Sequence, residues 1–313
     1  MNRAFVFPGQ ASQAVGMGAE LAAAFPAARE VFEEVDDALA QRLSKLMFEG
    51  PEDELTLTEN AQPAIVAVSL AVVRVLEREG GIRLPEKGRF VAGHSMGEYS
   101  ALGATGAFSV ADAVRLVKRR GQAMQLAVPV GEGAMAALIG LDLDAAREVA
   151  EAAAEDEVCA PANDNAPGQV VLSGHRAAVE RAVEIAAERG ARRAIMLPVS
   201  APFHCSLMAP AAEVMAEALA EVVMPPPSLA LVANVTAAPV EDPESIRGFL
   251  VQQVTAMVRW RESVLRMQEE GVETLVELGA GKILSGLIRR IDRDLRVANA
   301  GTPEEIEALA KIL

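Results

Sequence analysis

The sequence predicts an α/β protein with a hydrolase-like core, in which a parallel sheet is flanked by helices, plus an inserted ferredoxin-like subdomain. Three observations predict this fold. Short apolar strands alternate with helical segments in both terminal regions, a serine framed by glycines directly follows one strand, and the middle of the chain follows a β-α-β-β-α-β order. We expect a large core made of residues 1–129 and 199–313 and a small subdomain over residues 130–198.

The first half of the core is predicted from apolar runs and the turn residues that end them. "RAFVFPGQ" indicates a strand ended by Pro8 and Gly9, and helical periodicity then runs from Gly18 to Leu46. "QPAIVAVSLAVVRVLEREG" indicates a buried helix, since its apolar run is interrupted by Arg74 and is too short to span a bilayer. "RFVAG" is the strand that enters the serine turn, a short helix follows, and Ser109 is a good N-cap for the next helix.

The middle of the chain has a different order of predicted strands and helices. The strands "GAMAALIGL", "EVCAPAN", "GQVVLSG" and "RRAIMLPV" alternate with the helices "DLDAAREVAEAAAED" and "HRAAVERAVEIAAERG". The core pattern then resumes with a helix from about Cys205 to Val223, a strand "LALVANV", helices around Pro243–Met257 and Arg261–Glu270, a strand "TLVEL" and a helix "KILSGLIRRI". The two parts of the large core therefore flank the small subdomain in sequence.

The composition argues against several classes of protein. The chain has 44 acidic and 29 basic side chains, and a net charge of -15 disfavours a nucleic-acid binder. The segment "MNRAFVFPGQ" has no long apolar run before its first turn residues, so we expect no secretory signal, and two cysteines far apart in sequence do not indicate a disulfide framework. The three histidines lack metal-ligand spacing. We expect a cytoplasmic protein without a metal and without a membrane span.

The stretch "VAGHSMGEYSALG" contains a G-x-S-x-G segment, Gly93 to Gly97, between a predicted strand and a predicted helix. This context is typical of a nucleophile elbow, whose sharp turn lifts the serine hydroxyl out of the sheet to a helix N-terminus. The helix end offers N–H groups and a positive dipole to a developing oxyanion. Ser95 is therefore the candidate nucleophile.

A serine nucleophile needs a base. His175 opens a helix at the surface, and His94 lies in the serine turn but points elsewhere. His204, in "PVSAPFHCSLM", lies downstream of the serine between a strand and a helix, as elbow enzymes require. The acid of elbow hydrolases is missing, and Asp164 is an unconvincing substitute. His204 is the candidate base, oriented by a group other than a carboxylate, such as a carbonyl.

In "SVADAVRLVKRRGQAMQLAV", Arg120 shares its helix face with apolar residues, while its basic neighbours lie on a more polar side. A guanidinium keeps its charge, and burying it without a partner is costly. Two partners fit the pattern: an acid of the protein itself, or the carboxylate of a ligand. The spacing alone leaves both open.

Eight segments, taken in order, resemble one family. They are "FPGQASQ", "TENAQPAI", "GHSMGEYSAL", "KRRGQAMQ", "NDNAPGQVVLSG", "SAPFHCSLM", "QQVTAMVRW" and "ELGAGKILSGLI". The chain is similar, nearly end to end, to malonyl-CoA:acyl-carrier-protein transacylases and to related acyltransferase domains of fatty-acid and polyketide synthases. The resemblance implies that Ser95 takes malonyl from coenzyme A as an oxyester, that His204 is base and acid, and that Arg120 clamps the malonyl carboxylate.

The resemblance also implies roles for backbone groups. Gln10 and Met96 would supply N–H groups to the oxyanion, and the carbonyl of Gln253 would orient the histidine, which answers the missing acid. Phe203, before the base, resembles family members selective for malonyl. The chain departs from the usual family pattern at three loop-shaping positions: Ala11, Met257 and Ala280.

The resemblance implies malonyl-CoA as substrate, no cofactor, and acyl carrier protein as the partner of a monomer. Carrier proteins of this type are acidic, as is this chain, so docking requires a local basic patch. The candidate residues for this patch are Lys118, Arg119, Arg192, Arg193, Arg289, Arg290 and Arg293.

The leading hypothesis is malonyl transfer to a carrier protein in fatty-acid synthesis. A stand-alone acyltransferase for a polyketide assembly line would have the same site. The missing acid and Arg120 disfavour a serine esterase or thioesterase. An intact serine, histidine and arginine disfavour a non-catalytic scaffold.

Overall fold

Strands and helices alternate along residues 2–313, which a computed structural model describes. The strands are β1 (Arg3–Phe7), β2 (Phe90–Gly93), β3 (Gly133–Ile139), β4 (Cys159–Ala166), β5 (Gln169–His175), β6 (Arg193–Met196), β7 (Ala230–Ala233), β8 (Ala238–Val240), β9 (Thr274–Leu278) and β10 (Arg296–Ala300). The helices are α1 (Ala19–Ala24), α2 (Pro26–Leu39), α3 (Leu43–Glu49), α4 (Glu52–Thr56), α5 (Thr58–Arg78), α6 (Leu84–Lys87), α7 (Gly97–Ala104), α8 (Val110–Ala127), α9 (Leu143–Ala154), α10 (Arg176–Glu188), α11 (Ala209–Ala220), α12 (Pro243–Gln253), α13 (Trp260–Glu269), α14 (Ile283–Ile291) and α15 (Pro303–Ala310).

A six-stranded sheet forms the centre of the larger part, in the order β10-β9-β1-β2-β7-β8. The first five strands are parallel, and β8 returns antiparallel to β7. Alternate residues of β1 enter two core clusters, Phe5 and Phe7 in one and Ala4 and Val6 in the other, because both faces are covered. The segments that follow β1, β2 and β7 meet at the carboxyl edge of the sheet, where the candidate site lies.

A second sheet has four antiparallel strands in the order β4-β5-β3-β6. Its chain order, β3-α9-β4-β5-α10-β6, is that of a ferredoxin-like unit. Backbone hydrogen bonds join it to the larger part, from Asp164 N–H to Val258 O at 3.0 Å and from Val258 N–H to Ala162 O at 2.9 Å. The predicted fold class is confirmed, whereas the boundaries at residues 130 and 198 stay a prediction.

Helix α5 packs against α2, α7 and α8. Within residues 2–313 it is the one helix that is long and apolar enough to cross a membrane, yet 89% of its most apolar stretch is buried inside the protein. The predicted buried helix is therefore present. It has 21 residues and begins at Thr58, ahead of the predicted start at Gln62, so that Gln62 and Pro63 lie inside the helix.

The periodic stretch from Gly18 to Leu46 is divided among three helices instead of forming one. Phe25 is extended before Pro26, which begins α2, because the residue before a proline favours extended backbone and the missing proline N–H is tolerated in the first turn of a helix. Ala40 has a left-handed φ of 47° and ends α2. Hydrophobic periodicity alone did not reveal either break.

The helix expected from Cys205 begins only at Ala209, after a 3₁₀ turn over Ser206–Met208. Pro210 lies in its first turn, where its missing N–H is tolerated. Five elements were not predicted, because they are short or carry polar residues that obscure the hydrophobic periodicity: β8, β10, α4, α6 and α15.

Candidate active site

Ser95 lies in the turn between β2 and α7, with a left-handed φ of 54° that non-glycine residues rarely adopt. Close packing explains the flanking glycines. A Cβ atom on Gly93 would lie 1.9 Å from the carbonyl carbon of Gly97, and one on Gly97 would lie 2.4 Å from the carbonyl oxygen of Phe7. The G-x-S-x-G segment therefore forms the tight strand-to-helix turn of a nucleophile elbow.

His204 lies between β6 and α11, with a φ of 60°. Its Nε2 lies 2.7 Å from Ser95 Oγ, and its Nδ1 lies 2.8 Å from the carbonyl oxygen of Gln253. A carbonyl oxygen only accepts, so Nδ1–H donates to it and the Nε2 lone pair accepts the Ser95 hydroxyl proton. A backbone carbonyl thus stands where elbow hydrolases have an acid.

The environment of His204 favours its neutral form. Burial and the nearby positive charge of Arg120 lower its pKa to about 3, although the carbonyl of Gln253 opposes this shift. The imidazole is therefore uncharged at neutral pH. It is in the state that a general base requires.

Arg120, on α8, is 1% exposed. Its Nη2 donates to Ser95 Oγ at 3.2 Å and to Gln253 Oε1 at 2.9 Å, and its Nη1 donates to Gln62 Oε1 at 3.0 Å. Among residues 2–313, no carboxylate oxygen lies within 4.0 Å of this guanidinium, so it forms no ion pair with them. Its Nε–H also has no hydrogen-bond acceptor among these residues. Neutral amides therefore hold Arg120, and of the two partners left open by the sequence, an acid of the protein itself forms no ion pair with it among residues 2–313.

Asn234, which follows β7, was missed by the sequence analysis. Its Oδ1 accepts the Ser95 N–H at 2.8 Å, and its Nδ2–H donates to the Gly93 carbonyl at 2.7 Å. These bonds tie both sides of the elbow to the neighbouring strand. A polar residue at the end of the apolar run "LALVAN", pointing to the same sheet edge as the elbow, is the signal that could have revealed it.

Glu98, in the first turn of α7, was also missed and is 1% exposed. Its Oε1 accepts the Asn234 N–H at 2.7 Å, and its Oε2 accepts from the side-chain amide of Gln253. Burial raises the pKa of Glu98 to about 8, against the opposing effects of these two donors and of Arg120. An acid inside the "GHSMGEYSAL" segment was the available signal.

Gln10 and Met96 flank the serine turn from two sides. Gly9 allows the segment after β1 to approach, because a Cβ atom there would lie 2.6 Å from the His94 carbonyl oxygen. Within the described chain, the backbone N–H groups of Gln10 and Met96 have no hydrogen-bond acceptor. Two free donors therefore remain close to the elbow.

A cavity of about 140 Å³ lies in front of the serine and the histidine. Its lining includes Arg120, Phe203 and Met135. A wider cavity of about 330 Å³ adjoins it and shares four lining residues with it: Gln10, Ala11, Leu197 and Val199. The site thus has a small inner chamber and a larger outer passage.

The other two histidines are held away from the Ser95 hydroxyl. His94 lines the inner chamber, but its Nε2 lies 2.8 Å from Asn165 Oδ1 and its ring packs 5.7 Å from that of Trp260. His175 Nδ1 accepts the Val158 N–H at 2.9 Å. Both make contacts that explain their presence without catalysis.

Asp164 makes an ion pair with Arg261 at 2.9 Å and does not contact His204. Cys159 and Cys205 are free thiols, and burial raises the pKa of each. Residues 2–313 contain no group of three side chains placed to hold a metal ion.

The predicted basic residues fall into two groups. Lys118 pairs with Glu59 at 3.0 Å, and Arg119 lies 3.7 Å from both Glu217 and Glu221. The other five form no ion pair within 4.0 Å among residues 2–313 and line one surface groove of about 820 Å³, here called the arginine groove: Arg192, Arg193, Arg289, Arg290 and Arg293. None of the described residues that line the groove is acidic.

The family model and the related proteins that match this chain all describe acyltransferases. Residues 4–301 match the family described as acyl transferase domain. The chain is 46% identical to malonyl CoA-acyl carrier protein transacylase of Bacillus subtilis (strain 168) over 311 residues, which covers 99% of this chain and 96% of that protein. It is also 46% identical to the protein of the same name from Escherichia coli (strain K12) over 309 residues, 99% of each chain.

Solved structures of similarly named proteins superpose on this chain over nearly its whole length. The acyl-carrier-protein-S-malonyltransferase from Bartonella henselae superposes with a TM-score of 0.98 at 56% identity, covering 100% of this chain and 99% of that one. A malonyl-transacylase solved in complex with a type II PKS acyl-carrier protein superposes with a TM-score of 0.96 at 41% identity, covering 100% of both chains.

Proposed function

We propose that this chain, which belongs to the acyl transferase domain family, transfers malonyl from malonyl-CoA to the phosphopantetheine thiol of acyl carrier protein. One observation carries this function: a buried arginine without an acidic partner donates to the same serine hydroxyl that faces the histidine. An acyl group with a free carboxylate supplies both the carbonyl for Ser95 and the missing charge for Arg120. The full-length relatives carry the corresponding name.

In the first half-reaction, Ser95 Oγ attacks the thioester carbonyl carbon while His204 Nε2 takes the hydroxyl proton. The tetrahedral oxyanion accepts from the N–H groups of Gln10 and Met96, whose lack of internal acceptors supports this role. The C–S bond then breaks. The coenzyme A thiolate leaves with the proton from His204, and malonyl remains on Ser95 as an oxyester.

In the second half-reaction, the carrier thiol gives its proton to His204 and its sulfur attacks the ester carbonyl. The C–O bond to Ser95 breaks, and the serine oxygen recovers the proton. The malonyl-CoA thioester, the Ser95 oxyester and the carrier thioester are similar in free energy. Catalysis therefore depends mainly on stabilising the oxyanion and positioning the reacting groups. Water must be kept from the acyl-enzyme, and the small inner chamber supports this.

Arg120 binds the malonyl carboxylate. Its planar guanidinium suits a carboxylate, and its Nε–H is left without an acceptor among the described residues. Phe203, 8% exposed, lines the same chamber, and a bulky ring there would crowd an α-methyl group, which favours malonyl over α-methylated acyl groups.

The arginine groove is the proposed docking surface for the acidic carrier protein. Lys118 and Arg119 are already paired, which leaves the five groove residues as the better part of the predicted patch. Ile195 of β6 also lines the groove, and Leu197, two residues further, lines the inner and outer cavities. A carrier bound at the groove would thus lie next to the wall of the passage that its arm must enter.

The reaction as proposed needs malonyl-CoA and carrier protein and no cofactor. A fatty-acid role is the leading candidate for this malonyl transfer, while the structure solved with a type II PKS acyl-carrier protein keeps a polyketide role as the second candidate. The cytoplasmic location and the monomeric state stay predictions, and sedimentation equilibrium tests the second of them.

The proposed function is tested by product analysis with and without carrier protein. Purified protein is incubated with malonyl-CoA, and malonyl-carrier and free malonate are measured over time. We expect malonyl-carrier to form when the carrier is present and little malonate to form when it is absent. Rapid release of malonate at a rate independent of carrier would identify a hydrolase instead.

A further inference from the structure

The carboxyl group of Glu98 forms no hydrogen bond with the Ser95 hydroxyl or the His204 ring, yet it is hydrogen-bonded to the two residues that hold them. Its Oε1 accepts from Asn234, whose side chain accepts the Ser95 N–H. Its Oε2 accepts from Gln253, whose carbonyl oxygen orients His204. Glu98 therefore anchors both neighbours of the reacting pair from behind.

The Gln253 side chain is the critical link, because an amide has one accepting end and one donating end. Its Oε1 faces Arg120 Nη2 at 2.9 Å, and its Nε2 donates to the Ser95 carbonyl at 2.9 Å as well as to Glu98. If the amide turned over, its NH₂ group would face a guanidinium that has only donors. The orientation seen here is the one in which Arg120 has an acceptor on this side.

We propose that Glu98 is a positioning residue, which fixes the orientation of the Gln253 amide and through it the guanidinium of Arg120 for the acyl carboxylate. A carboxyl group has acceptor lone pairs on both oxygens, so Glu98 accepts from Asn234 and Gln253 together. No other acid is in a position to do this, since among residues 2–313 Gln253 donates to no second carboxylate. This inference rests on the proposed function, because it concerns selection of a carboxylated acyl group.

The substitution Glu98→Gln isolates this role. Glutamine has nearly the same shape but only one accepting oxygen, and the backbone N–H of Asn234 cannot turn away from it. The Gln253 amide can turn, so it is expected to give its oxygen to the new NH₂ group and present its own NH₂ to Arg120. Arg120 and the Ser95 carbonyl then each lose a hydrogen bond.

Glu277 offers a matched control. It is also a fully buried acid that accepts hydrogen bonds near the start of a helix, from the N–H groups of Leu284 and Ser285 and from the Ser285 hydroxyl. Its side chain forms no hydrogen bond to a residue of the candidate site in the described chain. Glu277→Gln therefore reports what loss of a buried carboxylate does in general.

The experiment measures acyl-enzyme formation from malonyl-CoA and from acetyl-CoA, the same thioester without the carboxylate, after circular dichroism has verified that each variant is folded. For Glu98→Gln we expect kcat/KM with malonyl-CoA to fall roughly 10- to 100-fold, with a much smaller loss for acetyl-CoA. For Glu277→Gln we expect the ratio of the two to stay at the wild-type value.

Equal losses for the two acyl groups in folded Glu98→Gln, or no loss for either, would overturn the inference. The same follows if Glu277→Gln shifts the acyl preference as strongly as Glu98→Gln. The wild-type protein separates this outcome from failure of the proposed function. If it forms no malonyl adduct, the function is wrong, whereas a wild-type adduct with an unchanged preference in Glu98→Gln contradicts only the role of Glu98.

Discussion

Arg120 Nη2 donates to the hydroxyl of Ser95 at 3.2 Å, and that hydroxyl faces His204 Nε2 at 2.7 Å. A fixed positive charge and a neutral base thus meet at one oxygen atom. A ligand whose carboxylate binds the charge is brought to the nucleophile in the same event. An acyl group without a carboxylate forms no ion pair with the arginine.

Arg120→Ala should abolish this selection. We expect kcat/KM for malonyl loading to fall roughly 10²- to 10³-fold, because a buried charged hydrogen bond to the substrate is removed. Acetyl loading should fall less, so the preference for malonyl is lost. Single-turnover acylation with both thioesters measures the two rates.

Arg119→Ala is the matched control for that substitution. Arg119 is the adjacent residue on the same helix, but it faces Glu217 and Glu221 at 3.7 Å on the surface. Loading of either acyl group should stay within about twofold of wild type, since exposed ion pairs contribute little. Undiminished malonyl loading in Arg120→Ala would show that another group binds the carboxylate.

The acylation rate should not change near pH 6.5, where an ordinary histidine gains a proton. Because burial and Arg120 lower the pKa of His204 to about 3, the base stays neutral as the pH falls through the usual histidine value of 6.5. We expect the single-turnover rate of acylation by malonyl-CoA to be flat between about pH 7 and 5. A tenfold loss centred near 6.5 would mean that His204 protonates in the free protein at an unshifted pKa.

The stability of Glu98→Gln relative to wild type should change with pH. The folded-state pKa of Glu98 is raised to about 8 from an ordinary 4.5, so the folded protein binds a proton over this range that the unfolded chain has already released. The contribution of Glu98 to wild-type stability is therefore full below 4.5 and lost as the pH rises to 8. Glutamine does not titrate.

The free energy of unfolding of wild type should thus decline relative to that of Glu98→Gln as the pH rises from 4.5 to 8. The slope should be at most about 1.4 kcal/mol per pH unit. Urea unfolding of both proteins across this range measures it. A difference that does not change with pH would show that Glu98 ionises normally in the folded protein.

Charge reversal in the arginine groove should weaken carrier docking. In Arg289→Glu with Arg293→Glu, transfer from preformed malonyl-enzyme to carrier should show a KM raised roughly 10-fold or more, and the effect should shrink at high salt. Starting from the acyl-enzyme keeps coenzyme A out of the measurement. Arg119→Glu, outside the groove, should leave this KM nearly unchanged, and equal effects of both variants would contradict docking at the groove.

Much of the fold was predictable because its signals are local. The apolar runs at β1 and β2, the glycines at 93 and 97 and the N-cap Ser109 each act within a few residues, and the structure has them as expected. The inward face of Arg120 was readable from helical periodicity for the same reason.

The supporting network was not predictable from local patterns, because its bonds join distant parts of the chain, and Gln253 was named only through the family resemblance. Glu98, Asn234 and Gln253 come from α7, the end of β7 and the end of α12, and only the parallel order of β1, β2 and β7 brings these segments to one edge. The split of the stretch from Gly18 to Leu46 into three helices depended on the backbone at Phe25 and Ala40, which hydrophobic periodicity does not report.

The central claim is that Ser95 carries the malonyl group between two thiols, and the intact mass of the protein tests it most directly. After brief incubation with malonyl-CoA, the wild-type protein should gain the mass of one malonyl group and lose it when carrier protein is added. Ser95→Ala should gain nothing. A malonyl adduct that persists in folded Ser95→Ala, or a wild-type protein that forms none, would contradict the account.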